Sequence, residues 1–257
     1  MEVSYIVPIN QEYREQVKLV ALDMDGTLLN AEHAISEENK QAIKEAEEKG
    51  VHVVLSTGRT LRTAREFAES LGLTSYLITV NGSEIWDSSF NLVERQVLHP
   101  DHVQMMWGLR NQYETNFWAC SVDKVWRADF PEDIYAHEWL KFGFDIPDHH
   151  VRNQVLEELK KNKELEITNS SPTNIEVNTI GINKGAALTK VSERLGFSMK
   201  NVMAVGDSLN DIAMIKQAGL GVAMGNAQEI VKKTADWVTE TNIKNGVAKA
   251  IRHWVLS

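Results

Sequence analysis

The feature that most constrains this chain is a series of short apolar runs, each stopping abruptly at a polar cluster and separated from the next by an amphipathic stretch. Residues 18–22 read KLVAL and end at Asp23, as a strand buried on both faces would. Ser36 stands where an N-cap belongs, ahead of a helix over 37–49 whose Ala42, Ile43 and Ala46 make an apolar face closed by Gly50. Residues 51–56 (VHVVLS) form a second strand, 60–71 a second helix stopped by Gly72, and 76–80 a third strand. Strand, helix, strand, helix, strand is the rhythm of a parallel sheet. It returns late in the chain, with helices over 184–195, 210–217 and 227–234 and strands over 202–205 and 221–223.

Between these blocks the pattern changes. Residues 84–87 and 92–97 read as one hairpin and 115–121 and 124–128 as another. Helices are expected over 102–112, 132–141 and 151–161, and strands over 164–168 and 174–178. Five of the seven tryptophans fall here, enough bulky surface for a small domain of its own. The expected fold is therefore α/β: a doubly wound parallel-sheet core (17–83 and 181–257) interrupted by a smaller α+β domain (84–180), with 1–16 as a loosely attached leader.

Composition removes whole classes of function. The net charge of −9 repels polyphosphate backbones and anionic bilayers, so neither nucleic acid nor membrane is an expected partner. The single cysteine, Cys120, excludes a disulfide framework and a cysteine-rich metal site. No apolar run reaches the roughly 18–20 residues of a membrane span, and a cytoplasmic protein is expected, monomeric or a small homo-oligomer.

In open parallel sheets ligands bind beyond the carboxyl ends of the strands, so the polar residues that follow apolar runs are the candidates. The first strand ends in Asp23-Met24-Asp25-Gly26-Thr27, two acids at a tight turn. An EF-hand loop fails here, because glycine is fourth instead of sixth and the twelfth residue is Ala34. The second strand ends in Ser56-Thr57-Gly58-Arg59, where Thr57 taken alone reads as a helix cap. The third ends in Asn81-Gly82, by default a turn. Residues 206–211, GDSLND, add Asp207 and Asp211 at the mouth of a helix, and Lys184 opens the chain's return to the core. Gathered in one crevice, Asp23, Asp25, Asp207 and Asp211 repel one another unless a cation sits among them. An all-oxygen set selects Mg²⁺, and with Lys184 and Thr57 the crevice suits a phosphate. A carboxylate nucleophile beside a second acid fits phosphoryl transfer.

These motifs resemble the haloacid dehalogenase superfamily of aspartate-nucleophile phosphatases, in the Cof-type branch with an inserted α+β cap (subclass IIB). DMDGT (23–27), STG (56–58), Lys184 and GDSLND (206–211) occur in the family's order. LSTGR, VNG, NKGAAL and GVAMGNA extend the likeness over most of residues 18–250. The resemblance implies Asp23 as the nucleophile that becomes an aspartyl phosphate and Asp25 as the acid and then base. It implies Mg²⁺ on the Asp23 carboxylate, the Asp25 carbonyl and the Asp207 carboxylate, with Asp211 behind them. Met24, Thr57, Gly58, Lys184 and Asn210 would bind phosphate, and Asn81 would face the substrate near the cap.

Other features have plainer readings. Gly219 to Gly225 superficially matches a dinucleotide fingerprint but carries one residue too many, so no nicotinamide cofactor is expected. His149 and His150 read as a solvated turn, and Cys120 as a buried inert thiol. Phe117, Trp118, Trp126 and Phe144 offer a stacking wall for a ring, with core packing the favoured alternative. The expected activity is a magnesium-dependent phosphomonoester hydrolase for small phosphorylated metabolites, sugar or polyol phosphates first. Its rivals are a sugar phosphomutase using the same aspartate pair and a phospho-accepting receiver module, which would lack the inserted domain.

Overall fold

The computed structural model describes residues 17–257, so the expected leader, 1–16, lies outside the described residues. The chain runs through β1 (Leu19–Leu22), α1 (Glu37–Glu48), β2 (His52–Ser56), α2 (Leu61–Leu71), β3 (Leu77–Thr79), β4 (Glu84–Trp86) and β5 (Leu92–Arg95). It continues with α3 (Pro100–Gln112), β6 (Asn116–Ser121), β7 (Val125–Trp126), β8 (Trp139–Asp145), α4 (His149–Lys160), β9 (Leu165–Thr168) and β10 (Asn174–Thr179). It ends with α5 (Lys184–Arg194), β11 (Val202–Gly206), α6 (Ile212–Gln217), β12 (Leu220–Ala223), α7 (Glu229–Thr234), β13 (Trp237–Val238) and α8 (Gly246–Ile251).

The larger sheet has the order β13-β12-β11-β1-β2-β3-β4-β5. All its pairings are parallel except β3–β4 and β4–β5. The strand order reverses between β1 and β11, which is where such sheets open a crevice. All four residues of β1 are buried. Val20 and Leu22 join the apolar cluster of α1, α2, α7 and α8, while Leu19 and Ala21 join that of α5 and α6. A strand covered on both faces has no polar side, hence the unbroken run KLVAL. The expected stops also hold: Ser36 Oγ accepts from the Asn39 N–H, a cap worth about 1 kcal/mol, and Gly72 ends α2 in the left-handed conformation.

The second sheet, β7-β6-β8-β10-β9, is antiparallel throughout. Helices α3 and α4 cover one face, where Met106, Val155 and Leu159 pack against Phe117, Trp126, Phe142 and Phe144. Burying each such side chain contributes about 1.5–3 kcal/mol, which gives this cap its own core. The other face looks toward the crevice of the large sheet and carries Trp118, Cys120, Lys141 and Glu176. Phe117, Trp126 and Phe144 are thus core residues as expected, whereas Trp118 is half-buried on the other face, packed against the small cluster of Val80, Cys120 and Leu140. Cys120 is buried, and burial pushes its thiol above the usual range.

Two expectations need correction. The hairpin β4–β5, read as the start of the insertion at residue 84, belongs to the large sheet. Only four residues, the turn Val80–Gly82 and Ser83, separate it from β3, too short for a crossover, so the chain folds back beside the strand it has just left. We place the start of the cap after Arg95. The helix expected over 132–141 is instead a single turn, Ile134–Ala136, followed by β8. Six of the seven residues of β8 are buried, so the central strand shows no period of two, and its aromatic residues favour extended chain. Strand β13 and helix α8 have no counterpart in the sequence reading. Among the described residues no helix is long and apolar enough to cross a membrane.

Candidate active site

Leu22 pairs with Val205 in the parallel ladder, so the residues that follow β1 and β11 emerge side by side at the switch point. The Asp23 N–H donates to the Val205 carbonyl at 3.0 Å, which fixes the turn from which the Asp23 side chain enters the crevice. Gly26 completes that turn with φ +83°, and a methyl group there would come within 2.5 Å of Asp207 Oδ2. Only glycine lets the first loop approach the Asp207 carboxylate so closely.

Lys184, at the start of α5 and fully buried, donates from Nζ to Asp23 Oδ1 at 2.6 Å and to Asp211 Oδ1 at 2.7 Å. Asp211 Oδ2 accepts the N–H groups of Asp207 and Ser208. Asp207 accepts from Thr27 Oγ1 on one oxygen and from Ser208 Oγ on the other, both at 3.0 Å. One oxygen each from Asp23, Asp207 and Asp211 lie within 4.8 Å of one another.

Three carboxylates face one ammonium here, so the pocket carries excess negative charge. Burial, reinforced by Asp211 and Asp207, holds Asp23 well above the usual carboxylate range despite Lys184. Burial and the Asp211 charge push Asp207 up to about 6. Burial alone would lower Lys184, but Asp211 and Asp23 outweigh it and hold the ammonium charged. An all-oxygen donor set with this charge fits a hard divalent cation such as Mg²⁺. Asp211 is fully buried and held by the Lys184 ammonium and two main-chain N–H groups, whereas Asp207 is half-buried and met only by two hydroxyls, so Asp23 and Asp207 are the better placed ligands.

The remaining predicted residues divide. Asp25 lines the same cleft, half exposed, with both oxygens held by Arg59. Gly58 and Asn210 also line it. Thr57 lies behind them, buried, its hydroxyl accepting the Arg59 N–H at 3.1 Å, so it shapes its own turn and does not cap α2. The Met24 side chain is fully buried in the core, which leaves only its main chain for a phosphate. Asn81, at φ +58°, bridges core and cap: its Nδ2 donates to Glu176 and its Oδ1 accepts from Asn210 Nδ2 at 3.2 Å. Among the described residues Asn210 Oδ1 is buried without a hydrogen-bond partner. His149 and His150 open α4 behind the Asp148 cap and are exposed.

Three further residues belong to the site and were missed. Arg59 pairs with Asp25; Lys141 and Glu176 form a buried ion pair at 3.3 Å, and Lys141 also donates to the Gly58 carbonyl at 2.9 Å. Lone charges inside the apolar strands WLKFGF and NIEV were the available signal, since unpaired buried charges are avoided. Together with Asn81 they tie the cap to the core.

Comparison with known proteins agrees with this geometry. A family described as haloacid dehalogenase-like hydrolase matches residues 20–150 and 129–251. The 5-amino-6-(5-phospho-D-ribitylamino)uracil phosphatase YcsE of Bacillus subtilis (strain 168) is 75% identical over 240 residues, 93% of this chain and 96% of that protein. The structure of a haloacid dehalogenase-like hydrolase from B. subtilis superposes with a TM-score of 0.86 at 25% identity, covering 93% of this chain and all of that one. The subclass IIB sugar phosphatase BT4131 shares the fold, with a TM-score of 0.79 at 23% identity over 92% of this chain and 98% of its own. On the family match, the close relative and the shared two-sheet architecture, the chain belongs to the haloacid dehalogenase-like hydrolases, in their Cof-type branch with an inserted α+β cap, and is a phosphoric monoester hydrolase.

Proposed function

We propose that the enzyme is a magnesium-dependent phosphatase of a small phosphorylated metabolite, that it works through an aspartyl phosphate on Asp23, and that its substrate is 5-amino-6-(5-phospho-D-ribitylamino)uracil. The observation that carries the mechanism is the convergence of Asp23, Asp207 and Asp211 around Lys184 at the ends of adjacent strands, beneath the cap. The substrate rests on the relative that is 75% identical. That molecule is a polyol phosphate, the class expected from the motifs, with a uracil ring at its far end. A cytoplasmic site of action accords with the single cysteine.

In this reading the Asp23 and Asp207 carboxylates, with the Asp25 main-chain carbonyl, hold Mg²⁺. When bound, the ion neutralises charge on the phosphoryl oxygens. Lys184 occupies Asp23 Oδ1, which directs the other oxygen at phosphorus. As the Asp23 O–P bond forms, the ester P–O bond breaks and the leaving alkoxide takes a proton from Asp25. Asp25, now ionised, accepts a proton from the water that attacks phosphorus, and the Asp23 O–P bond breaks to release phosphate. The Lys141–Glu176 pair and Asn81 hold the cap down over this exchange, which keeps bulk water out.

The test is phosphate release from this ester by the purified enzyme. The reading requires release that stops on chelation, returns with Mg²⁺ and is absent from a folded Asp23→Asn variant. Release indifferent to chelation, or an isomeric phosphoester formed without free phosphate, overturns it.

A further inference from the structure

Phosphoryl transfer uses one end of the cleft, and the cap side of the other end is built around Trp118. In the cap sheet Trp118 pairs with Gly143, and Gly143 pairs with Glu176 on its other side. The indole lies across Gly143: a methyl group at position 143 would come within 2.2 Å of Trp118 Cε2 and 2.4 Å of Cζ2. Glycine in a central strand sacrifices packing, so its presence often marks close approach of another group. Here that group is the ring.

The other tryptophans of the cap are used differently. Trp107, Trp126 and Trp139 pack into a ring cluster with Phe117, Phe130 and Phe142 on the far face of the sheet. Trp126 and Trp139 give their N–H groups to Ser121 Oγ and the Ile134 carbonyl. Among the described residues Trp118 has no ring partner and its N–H meets no acceptor. It is half-buried and lines both the catalytic cleft, of about 400 Å³, and the cavity adjoining it. Arg127 lines both as well, and among the described residues its guanidinium has neither hydrogen bond nor ion pair. A flat apolar face beside an unspent fork of donors suits a planar heterocycle with carbonyl groups on its edge.

We propose that Trp118 and Arg127 form the subsite for the ring end of the substrate: the heteroaromatic ring stacks on the outer face of the indole, and its carbonyl edge accepts from the Arg127 guanidinium. The inference rests on the phosphatase reading above and adds the means of recognition to it. It also explains the glycine at 143, which keeps the indole flat and the cleft open.

The experiment compares kcat/KM for 5-amino-6-(5-phospho-D-ribitylamino)uracil with that for ribitol 5-phosphate, which has no ring. Trp118→Ala is expected to lower this ratio by roughly 5- to 150-fold, the range of base stacking on an aromatic side chain, mainly through KM. Trp118→Phe restores most of the ratio, and Arg127→Gln lowers it several-fold. An unchanged ratio in Trp118→Ala, whether both rates fall or neither does, overturns the subsite while leaving the phosphatase reading intact. If the wild-type enzyme hydrolyses neither ester, the substrate reading fails, and calorimetry with the phosphate-free 5-amino-6-(D-ribitylamino)uracil decides the subsite. Binding weakened at least fivefold by Trp118→Ala supports it; no binding to the wild type, or equal binding to both, overturns it.

Discussion

Arg59 grips Asp25 fork to fork, with Nε donating to Oδ2 at 2.7 Å and Nη2 to Oδ1 at 2.6 Å. Both oxygens of Asp25 are acceptors in this arrangement, so the carboxyl is set as a base. To deliver a proton it must first free one oxygen. Arg59 is in this way a positioning residue for the acid–base step, stacked in turn over the Phe67 ring at 5.0 Å. Arg59→Ala should lower kcat by about 100-fold, near the lower end of what a positioned acid–base group contributes, with little change in KM. Arg59→Lys keeps the charge but not the planar fork and should recover only part of the loss. Steady-state kinetics on the two variants check this, and a KM effect without a kcat effect counts against the role.

Without a cation, Asp207 keeps its proton to about pH 6, whereas in the unfolded chain it ionises near 3.8. Between those values the folded protein binds more protons than the unfolded one, so stability falls as pH rises through that window. Mg²⁺ competes with the proton for the same site, so its stabilising effect should be small near pH 4 and fully developed by pH 7. Thermal unfolding at several pH values, with EDTA or with Mg²⁺, tests the sign. A Mg²⁺-induced shift in Tm that is equal at both ends contradicts it.

Among the described residues Lys184 is the one cation between Asp23, Asp207 and Asp211, and its ammonium bonds there are all to carboxylates. Lys184→Met should therefore destabilise the metal-free protein by about 3–5 kcal/mol, the usual effect of removing one member of a buried charged group. Mg²⁺ should return part of that stability, since it supplies positive charge at the same place. Urea unfolding with and without the ion measures both effects; a variant as stable as the wild type in EDTA would remove Lys184 from the centre of the network.

The chain shows in advance where its acids gather but not how the cap meets them. Asp23, Asp25, Asp207 and Asp211 are legible because each follows an apolar run, and parallel strands bring such ends together wherever they fall in the chain. Arg59 stands in LSTGR, yet no local rule says that its fork reaches back to Asp25. Lys141 was hidden by β8, whose burial on both faces erases the alternation that marks a strand, so its segment read as the end of a helix. The β4–β5 hairpin was visible as a hairpin, but its sheet was not, because pairing with β3 turns on the four-residue connection formed by Val80–Gly82 and Ser83. Strand β13 has only two residues and no period to detect.

Glu176 supplies a separate pH test within the cap. Burial raises its carboxyl, but Lys141 and the hydrogen bonds from Asn81 and Ser170 outweigh burial and bring it below its ordinary 4.5. The folded group thus releases its proton more readily than the unfolded one. Its contribution is present above pH 4.5 and is lost as pH falls through the lowered value. Glu176→Gln should be less stable than the wild type by about 3 kcal/mol at pH 7, because Lys141 is left buried without its partner. The gap should narrow below pH 4.5. A gap that stays constant from pH 7 to pH 3 would show that the ion pair does not hold the cap.

The nucleophile itself is the decisive point. Mixing enzyme, Mg²⁺ and a phosphoester labelled in its phosphorus, quenching in acid within one turnover and mapping the label by peptide mass spectrometry places it directly. The account predicts an alkali-labile phosphoryl group on Asp23, formed only when Mg²⁺ is present, and none in Asp23→Asn. Turnover without any phosphorylated peptide, or a label on a different residue, would contradict it.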